Sequence, residues 1–305
     1  MSRNFGLGSR NMADAARIAL GRAADRGEMS FASAAAVGDR FALFASWAKA
    51  EGIGRMERID RELVERYGQE LAERVEAGEM SASYAQNLVS AVNTVMSLVT
   101  EWQSVSPTKD CGIAERSTIR EEAPGALDRE AYGRALEAVR QELGDRVAAV
   151  VELAREFGLR SKEASLLDAR AALVEAQNRG AMTVSEGTKG GRTREVPITS
   201  QRQLEALSRA AIAQGQDRSL IPASESWKGW REGTLRDARE IVKEHTGGGL
   251  HDLRAAYACE RYEALTGHAA PVVSGERYGD DREAREQIAE ELGHGRADVT
   301  TEYLG

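Results

Sequence analysis

The chain has 305 residues, of which 42% are hydrophobic and 30% charged, and its formal net charge at pH 7 is −8. This length and apolar content suffice to bury the cores of two domains. The acidic balance disfavours a general polyanion binder, because such domains are usually basic overall, although a local basic patch is compatible with it. The two cysteines, Cys111 and Cys259, lack the spacing of a zinc site or a disulfide framework.

The beginning of the chain predicts a flexible arm over residues 1–12, which are rich in Gly, Ser, Asn and Arg. This stretch has no apolar segment of the kind found in signal peptides, and no later stretch is long enough to cross a bilayer. We therefore expect a cytoplasmic protein that makes no membrane contact.

Residues 13–104 predict a helical domain. Apolar residues recur every three or four positions within four segments, which is the spacing of a helix with one buried face. Helices are expected at Asp14–Ala24, around Phe41–Ala48, at Asp60–Glu76, and from Ser81 or Ser83 through Val99. The short connections between them favour a small helical bundle.

A linker is predicted at residues 105–125, because Pro107, Gly112, Pro124 and Gly125 interrupt the helical spacing. A second domain, 126–305, begins with two amphipathic helices that lead to Gly158. Two β-prone segments then flank the glycine-rich stretch 187–191, which predicts a β-hairpin.

The rest of the second domain predicts more helices. They are expected at Gln201–Gln214, at Thr234–His245, from about His251, and in a last piece that ends at Tyr303. The fold class is therefore mainly α with a small β-hairpin, that is, α+β. Residues 261–285 are rich in Gly, Pro and charge, and no element is predicted for them.

Several polar residues are candidates for chemistry, but each has an ordinary alternative. Arg160 and Lys189 are common surface residues at a helix end and a hairpin tip. His251 and Arg254 are three residues apart and so share a helical face, which a capping histidine would also satisfy. His294 follows Leu-Gly and can be a helix cap, and Tyr303 can be a docked terminal aromatic residue.

The order and spacing of these residues make a stronger pattern. The chain reads Arg160, then Lys189 in the hairpin, then His251-x-x-Arg254, then Leu-Gly-His294, and Tyr303 follows nine residues later. This set resembles the active-site boxes of the tyrosine recombinase/phage integrase family. The resemblance covers roughly residues 125–305. The N-terminal bundle is similar to that family's core-binding domain only in being helical.

The resemblance implies a mechanism of DNA cleavage and rejoining. Tyr303 would be the nucleophile and form a 3′-phosphotyrosine intermediate, while Arg160 and Arg254 would bind the phosphate. The remaining implied roles are a base at His251, an acid at Lys189 for the leaving 5′-oxygen, a phosphate hydrogen bond from His294, and a supporting role for Glu163. No metal or other cofactor is implied.

The implied partner is double-stranded DNA, bound as a homo-tetramer on synapsed sites, with an accessory DNA-bending protein as a possible helper. Lys162, Arg192 and Arg194 are the predicted DNA contacts, and the basic residues of the set are expected to converge on one face. The resemblance also implies that the protein recombines the DNA of a mobile element and is located in the bacterial nucleoid.

Two departures from the family pattern concern the end of the chain. The insertion 261–285 is longer than is usual for the family. Many members also continue past the nucleophile with a helix that docks on a neighbouring subunit, whereas this sequence ends at Gly305. Either subunits communicate through another element, for which residues 261–285 are the candidate, or the protein works differently.

Three other functions stay open at this point. A type IB-like topoisomerase or a telomere resolvase uses the same residue types without exchange among four subunits. A non-catalytic DNA-binding regulator could retain the fold, although it has no use for Tyr303. A helical scaffold with accidental motifs predicts no DNA binding.

Overall fold

The computed structural model describes residues 3–305 and divides them into two compact units, one ending at Ser117 and the other spanning Thr118–Gly305. The division falls within the segment 105–125. Both units are built mainly from helices, and the second contains one two-stranded sheet. The predicted fold class, mainly α with a small β-hairpin, is confirmed.

The first unit contains four helices: α1 (Met12–Asp25), α2 (Phe31–Ala50), α3 (Arg61–Glu76) and α4 (Ala82–Val99). Each begins directly after a polar residue whose side chain accepts a hydrogen bond from the first helical turn, which satisfies backbone donors that lack a partner within the helix. These residues are Asn11, Ser30, Asp60 and Ser81. Aromatic packing between α2 and α3 fills the core, with the ring centroids of Phe44 and Tyr67 5.1 Å apart.

The segment predicted to be a flexible arm differs from that expectation over its described part, residues 3–12. Asn4 is fully buried; its side chain accepts a hydrogen bond from the backbone N–H of Met56 at 3.0 Å and donates one to the carbonyl of Ser9 at 3.0 Å. Leu7 is also buried in the core of the unit. A buried side-chain amide needs such partners, so this segment is held on the bundle. Residues 1 and 2 lie outside the described part of the chain.

The second unit is arranged around one helix that is buried on nearly all of its faces. This helix, α6, packs against α5, α9 and α12. The unit's helices are α5 (Arg129–Leu143), α6 (Asp145–Phe157), α7 (Ser161–Leu166), α8 (Ala169–Arg179), α9 (Gln201–Gln214), α10 (Trp227–Glu232), α11 (Thr234–Thr246), α12 (Leu250–Thr266), α13 (Pro271–Ser274), α14 (Arg282–Glu291) and α15 (Thr301–Leu304).

The predicted hairpin forms from β1 (Ala181–Val184) and β2 (Arg194–Pro197), which pair antiparallel with Val184 opposite Arg194. Helix α8, which precedes this hairpin, was not predicted from the sequence. Its buried residues are the alanines at 169, 172 and 176, so it carries no stripe of large apolar side chains from which to recognise a helix.

The segment 261–285, for which no element was predicted, contains the end of α12, the short helix α13 and the start of α14. No helix within residues 3–305 is both long enough and apolar enough to span a bilayer.

Close packing between α3 and the segment that follows α4 generates the first prediction. A Cβ atom added to Gly68 would lie 2.2 Å from the Sγ of Cys111 and 2.5 Å from its Cβ. We expect Gly68→Ala to lower the free energy of unfolding by about 1–3 kcal/mol, because a well-packed core must shift to admit the methyl group. Urea unfolding measures this change.

Gly21→Ala is the matched control. Gly21 lies within α1, and an added Cβ would meet no atom within 4 Å. Because alanine favours the helix over glycine by about 1 kcal/mol, this variant should be as stable as the wild type or more so. Equal unfolding curves for the Gly68 and Gly21 variants would contradict the packing argument.

Candidate active site

The first part of the site is the turn between α6 and α7. Gly158 ends α6 in the left-handed conformation, with φ at +61°, and the chain then passes through Arg160 into α7. The carboxylate of Glu163 accepts one hydrogen bond from the backbone N–H of Arg160 and another from its Nη1, both at 2.8 Å. Glu163 therefore fixes both the backbone and the guanidinium of Arg160.

Arg194 holds the other side of the same carboxylate. Its Nη2 donates to Oε2 of Glu163 at 2.7 Å and its Nη1 to Oε1 at 3.1 Å, while its Nε donates to the backbone carbonyl of Glu291 at 2.7 Å. The side chain of Arg194 is only 5% exposed. Arg194 was predicted to contact DNA; the structure instead buries it as a link between β2, α7 and the end of α14.

The charge state of Glu163 follows from these contacts. Burial by itself raises the pKa of a carboxyl group, but the hydrogen bonds and charges of Arg194 and Arg160 outweigh that effect. The pKa of Glu163 is therefore lowered from its ordinary value. The group is an anion that lies between two cations.

Arg254, in the first turns of α12, is fully buried. Its Nη1 donates to the carbonyl of Gly158 and its Nη2 to the carbonyl of Leu292. Burial lowers the pKa of Arg254 to about 10, so the group is still protonated at neutral pH. Backbone carbonyls thus orient a charged guanidinium without neutralising it.

His294 and Tyr303 meet Arg254 on its remaining side. Nε2 of His294 lies 3.0 Å from Nη2 of Arg254 and 3.5 Å from Nη2 of Arg160. Nε of Arg254 donates to the Tyr303 hydroxyl at 3.3 Å, and that hydroxyl lies 3.4 Å from Nε2 of His294. Four of the predicted catalytic side chains, those of Arg160, Arg254, His294 and Tyr303, are thus gathered around one point, although they come from three separate stretches of the chain.

The imidazole of His294 is neutral. Burial and the charges of Arg254, Arg160 and Arg194 lower its pKa to about 3. Because a guanidinium has no acceptor atom, Nε2 must accept from Arg254, and the ring proton is on Nδ1. Since Nε2 has a single lone pair, it can accept the proton of the Tyr303 hydroxyl only in place of the hydrogen bond from Arg254.

His251 lies at the edge of this cluster. The residue is exposed, but its ring faces Tyr303, with 5.5 Å between the two ring centroids. Loss of water on that side, together with the charges of Arg254, Arg160 and Arg120, lowers its pKa. His251 was predicted as the base for Tyr303. In the structure the hydroxyl is hydrogen-bonded to His294 instead.

The remaining predicted residues lie at the surface. Lys189 is exposed in the loop between β1 and β2, and within the described chain no hydrogen bond or ion pair joins it to the cluster. Arg192 is exposed as well; its guanidinium covers Gly295, where an added Cβ would lie 2.6 Å from Nη1. Exposed Lys162 holds its ammonium 5.8 Å from the centroid of the Trp227 ring. Of these three, only Arg192 reaches the turn that bears His294.

Two further residues contact the cluster and were not predicted. Arg120 and Asp252 form an ion pair beside His251. Asp252 lies inside the His251–Arg254 motif and could have been singled out on that ground, but nothing in the spacing of the sequence points to Arg120. Across residues 3–305, no group of three or more His, Cys, Asp or Glu side chains is arranged to hold a metal ion.

The lowered pKa of His294 predicts a dependence of stability on pH. In the unfolded chain a histidine takes up a proton near pH 6.5, whereas folded His294 stays neutral down to about pH 3. Its contribution to stability is thus fully present above about pH 6.5 and decreases as the pH falls, by up to about 1.4 kcal/mol per pH unit. We expect the unfolding free energy of His294→Gln to fall less steeply than that of the wild type between pH 6.5 and pH 4.5. Equal slopes in urea unfolding would contradict the neutral, buried state.

The sequence and the structure were compared with those of known proteins. The sequence profile of the integrase family matches residues 114–260. By sequence alone, no curated protein matches the chain. Solved structures give matches over most of the chain, at identities low enough that they establish the fold alone.

Three of these structures illustrate the match. The XerH site-specific recombinase, in a post-cleavage complex with palindromic difH substrate, is 16% identical with a TM-score of 0.60, over 96% of this chain and 81% of that chain. A lambda integrase dimer bound to a COC′ core site is 14% identical with a TM-score of 0.60, over 94% and 92%. The Tn1549 transposon integrase, in complex with transposon right end DNA, is 10% identical with a TM-score of 0.59, over 95% of both chains.

The residues that the profile matches include five of the seven that form the predicted set, namely Arg160, Glu163, Lys189, His251 and Arg254. His294 and Tyr303 lie beyond that range, and the structure brings both to Arg254. The integrase profile thus covers the middle of this chain, residues 114–260, and the fold is similar to that of the solved recombinases and integrases.

Proposed function

We propose that this chain is a site-specific tyrosine recombinase that cleaves and rejoins duplex DNA through a 3′-phosphotyrosine on Tyr303. The observation that carries the proposal is the position of the Tyr303 hydroxyl, 3.3 Å from Nε of Arg254 and 3.4 Å from Nε2 of His294. A hydroxyl nucleophile beside a buried cation and a neutral imidazole is suited to attack on an anionic phosphodiester.

The reaction transfers the phosphoryl group from one oxygen to another. The Tyr303 oxygen attacks phosphorus and forms the new O–P bond, and the bond from phosphorus to the 5′-oxygen breaks. Negative charge on the non-bridging oxygens is stabilised by Arg160 and Arg254, which Glu163 and the backbone carbonyls hold in place. Rejoining reverses these steps with a 5′-hydroxyl of another strand as the attacking group.

The proton of the Tyr303 hydroxyl leaves towards an imidazole. His294 is the nearer acceptor in this structure, and we assign it that role in the free protein. His251, whose ring also faces Tyr303, is the second neutral base available. The proposal is supported by the lowered pKa of both rings, since a base must be unprotonated to accept.

Lys189 is proposed as the acid that protonates the leaving 5′-oxygen. Its exposed position in the β1–β2 loop leaves it free to move towards bound DNA. Arg192 and Lys162 are proposed as contacts to the DNA backbone, since both are exposed near the site.

The solved relatives suggest how the protein assembles. One of them is a lambda integrase tetramer bound to a Holliday junction, and others are bound to duplex sites or a transposon end. We propose by analogy that this chain acts on double-stranded DNA of a mobile element, as a homo-tetramer on synapsed sites in the bacterial nucleoid. An accessory DNA-bending protein belongs to the same proposal.

Covalent capture tests the proposal without knowledge of the target site. The protein is incubated with fragmented genomic DNA of the source organism, the reaction is stopped with SDS, and protein-linked DNA is recovered and sequenced. We expect one short inverted-repeat sequence to be enriched. Tyr303→Phe removes the oxygen proposed to bond to phosphorus, so its adducts should fall below detection.

Other outcomes favour other functions. Adducts scattered over many sequences, together with relaxation of a supercoiled plasmid by the monomer, would indicate a type IB-like topoisomerase. A shift of DNA on a gel without any adduct would indicate a DNA-binding regulator.

The role of Lys189 is tested on the captured sequence. We expect Lys189→Ala to slow cleavage by about 10²–10⁴-fold, the range for loss of a general acid. A substrate in which sulfur replaces the bridging 5′-oxygen should be cleaved at nearly the wild-type rate, because a thiolate leaves without needing a proton.

Lys189→Arg is the matched variant. It keeps the positive charge but holds its proton too tightly to act as an acid. It should therefore be slow on ordinary DNA and rescued by the sulfur substrate. A variant that is slow on both substrates would show that Lys189 serves to bind DNA and not to transfer a proton.

A further inference from the structure

The segment by which the chain enters the second unit contacts both parts of the active site. The backbone N–H of Arg120 donates to the carbonyl of Thr301 at 2.9 Å, and Thr301 begins α15, two residues before Tyr303. The carbonyl oxygen of Arg120 lies next to the C-terminal end of the same helix: a Cβ atom added to Gly305 would be 3.2 Å from this oxygen. The main chain at Arg120 thus lies along the helix of the nucleophile.

The side chain of Arg120 fixes this segment to the other part of the site. One of its terminal nitrogens, Nη2, pairs with the carboxylate of Asp252, and its Nε donates to the carbonyl of Glu122 at 2.6 Å. Asp252 follows His251 in α12 and is 8% exposed. Its second oxygen accepts from the backbone N–H of Ala126 at 3.4 Å. Arg120 therefore joins the helix of His251 and Arg254 to that of Tyr303.

We propose that Arg120 is a positioning residue for Tyr303: it holds α15 against α12 and so keeps the nucleophile at Arg254 and His294. The inference rests on the proposed function for its catalytic consequence, but the hold on α15 can be tested without DNA. Arg120 touches no reacting atom in this scheme.

The need for such a hold follows from the length of α15. A helix of four residues cannot be stable by itself, because forming its one turn fixes more dihedral angles than its hydrogen bonds repay. Its position therefore depends on tertiary contacts. Besides the burial of Tyr303 and Leu304 and the contacts of the Tyr303 hydroxyl with Arg254 and His294, these include the bond from Arg120 to Thr301. They also include a bond from Nη2 of Arg285 to the carbonyl of Gly305 at 3.2 Å and the contact of Cys259 with the carbonyl of Tyr303.

Cys259 offers a direct probe of whether α15 is held against α12. Its Sγ lies 3.6 Å from the carbonyl oxygen of Tyr303, the residue is buried, and burial raises the pKa of its thiol to about 12. Detachment of α15 would uncover it. Cys111, which is buried in the first unit, serves as the internal reference.

The first experiment measures alkylation of the two cysteines by iodoacetamide in the native, DNA-free protein, using mass spectrometry. For Arg120→Ala we expect the rate at Cys259, relative to Cys111, to rise on the order of tenfold, because local opening becomes more frequent. Arg146→Ala is the matched control. Like Arg120, Arg146 pairs with a carboxylate, that of Asp217, and donates to a backbone carbonyl, that of Gln214, which is not part of the site. The exposed fraction of the two side chains is also similar, 28% for Arg146 and 21% for Arg120. The ratio should stay at the wild-type value in this control.

The second experiment uses the DNA fragments captured by the wild type. At saturating protein we expect Arg120→Ala to form covalent adducts on the order of tenfold more slowly, while its affinity in a gel shift changes less than about threefold. A residue that merely stabilises the fold would lower affinity and rate together.

The outcomes separate this inference from the proposed function. If the wild type forms no adduct, the proposed function fails, and the alkylation ratio still decides the role of Arg120. If Arg120→Ala and Arg146→Ala give the same ratio, or the same adduct rate, the inference is overturned. Should Arg120→Ala unfold, so that both cysteines react at once, Asp252→Asn decides: it removes the charge opposite Arg120 while keeping the size of the side chain, and a ratio equal to that of the wild type would overturn the inference.

Discussion

The carboxylate of Glu163 is the contact on which the rest of the site depends. It is fully buried and is shared by the guanidinium groups of Arg160 and Arg194. Without this anion, two cations would lie close together with little water around them, an arrangement whose desolvation penalty amounts to several kcal/mol per ion. Removal of either partner from a buried pair is strongly destabilising for the same reason. The fold thus has a physical reason to keep α7 and β2 together.

Arg194 extends this contact to a third segment of the chain. Because its Nε binds the carbonyl of Glu291, the end of α14 is held beside β2, and His294 follows a short turn later. The carbonyl of Leu292 in that turn accepts from Arg254. The positions of Arg160, Arg254 and His294 are therefore coupled through buried hydrogen bonds, and the side of the site proposed to bind phosphate is organised by contacts within the protein itself. Such preorganisation is the usual source of electrostatic stabilisation in enzymes.

The exposed groups of the site behave differently. Lys189 and Arg192 lie in the loop between the two strands, and among residues 3–305 no hydrogen bond or ion pair to a buried group fixes their side chains. Their positive charge contrasts with the chain's overall charge of −8. A negative net charge disfavours indiscriminate binding to DNA, whereas a local cluster of cations still attracts a phosphate at short range. The division into a rigid buried part and an exposed part that is free to adjust fits a site that must admit a large substrate.

Much of this arrangement could be predicted from the amino-acid sequence. The helical periodicity of α1, α3 and α4 and the turn residues around the hairpin are local features, each readable within a few residues. The order of Arg160, His251, Arg254 and Tyr303 extends over a much longer stretch but is likewise read directly from the sequence as a motif set. The sequence alone also determined the spacing of His294 and Tyr303. Helix α8 was not predicted because its buried residues are alanines. The contacts of residues 3–12 with the bundle were not predicted because the composition of this segment is typical of a loop.

Only the tertiary structure decided what the polar residues do. Arg194 was expected to contact DNA and is buried instead. Its partner Glu163 lies 31 residues earlier in the chain, and its second partner, Glu291, lies 97 residues later. The Tyr303 hydroxyl was assigned to His251 and contacts His294, and Arg120 reaches Asp252 across 132 residues. Periodicity and motif spacing describe neighbours along the chain. Contacts over such separations arise from the packing of whole helices, so the sequence determined which chemical groups are present and the packing determined which of them meet.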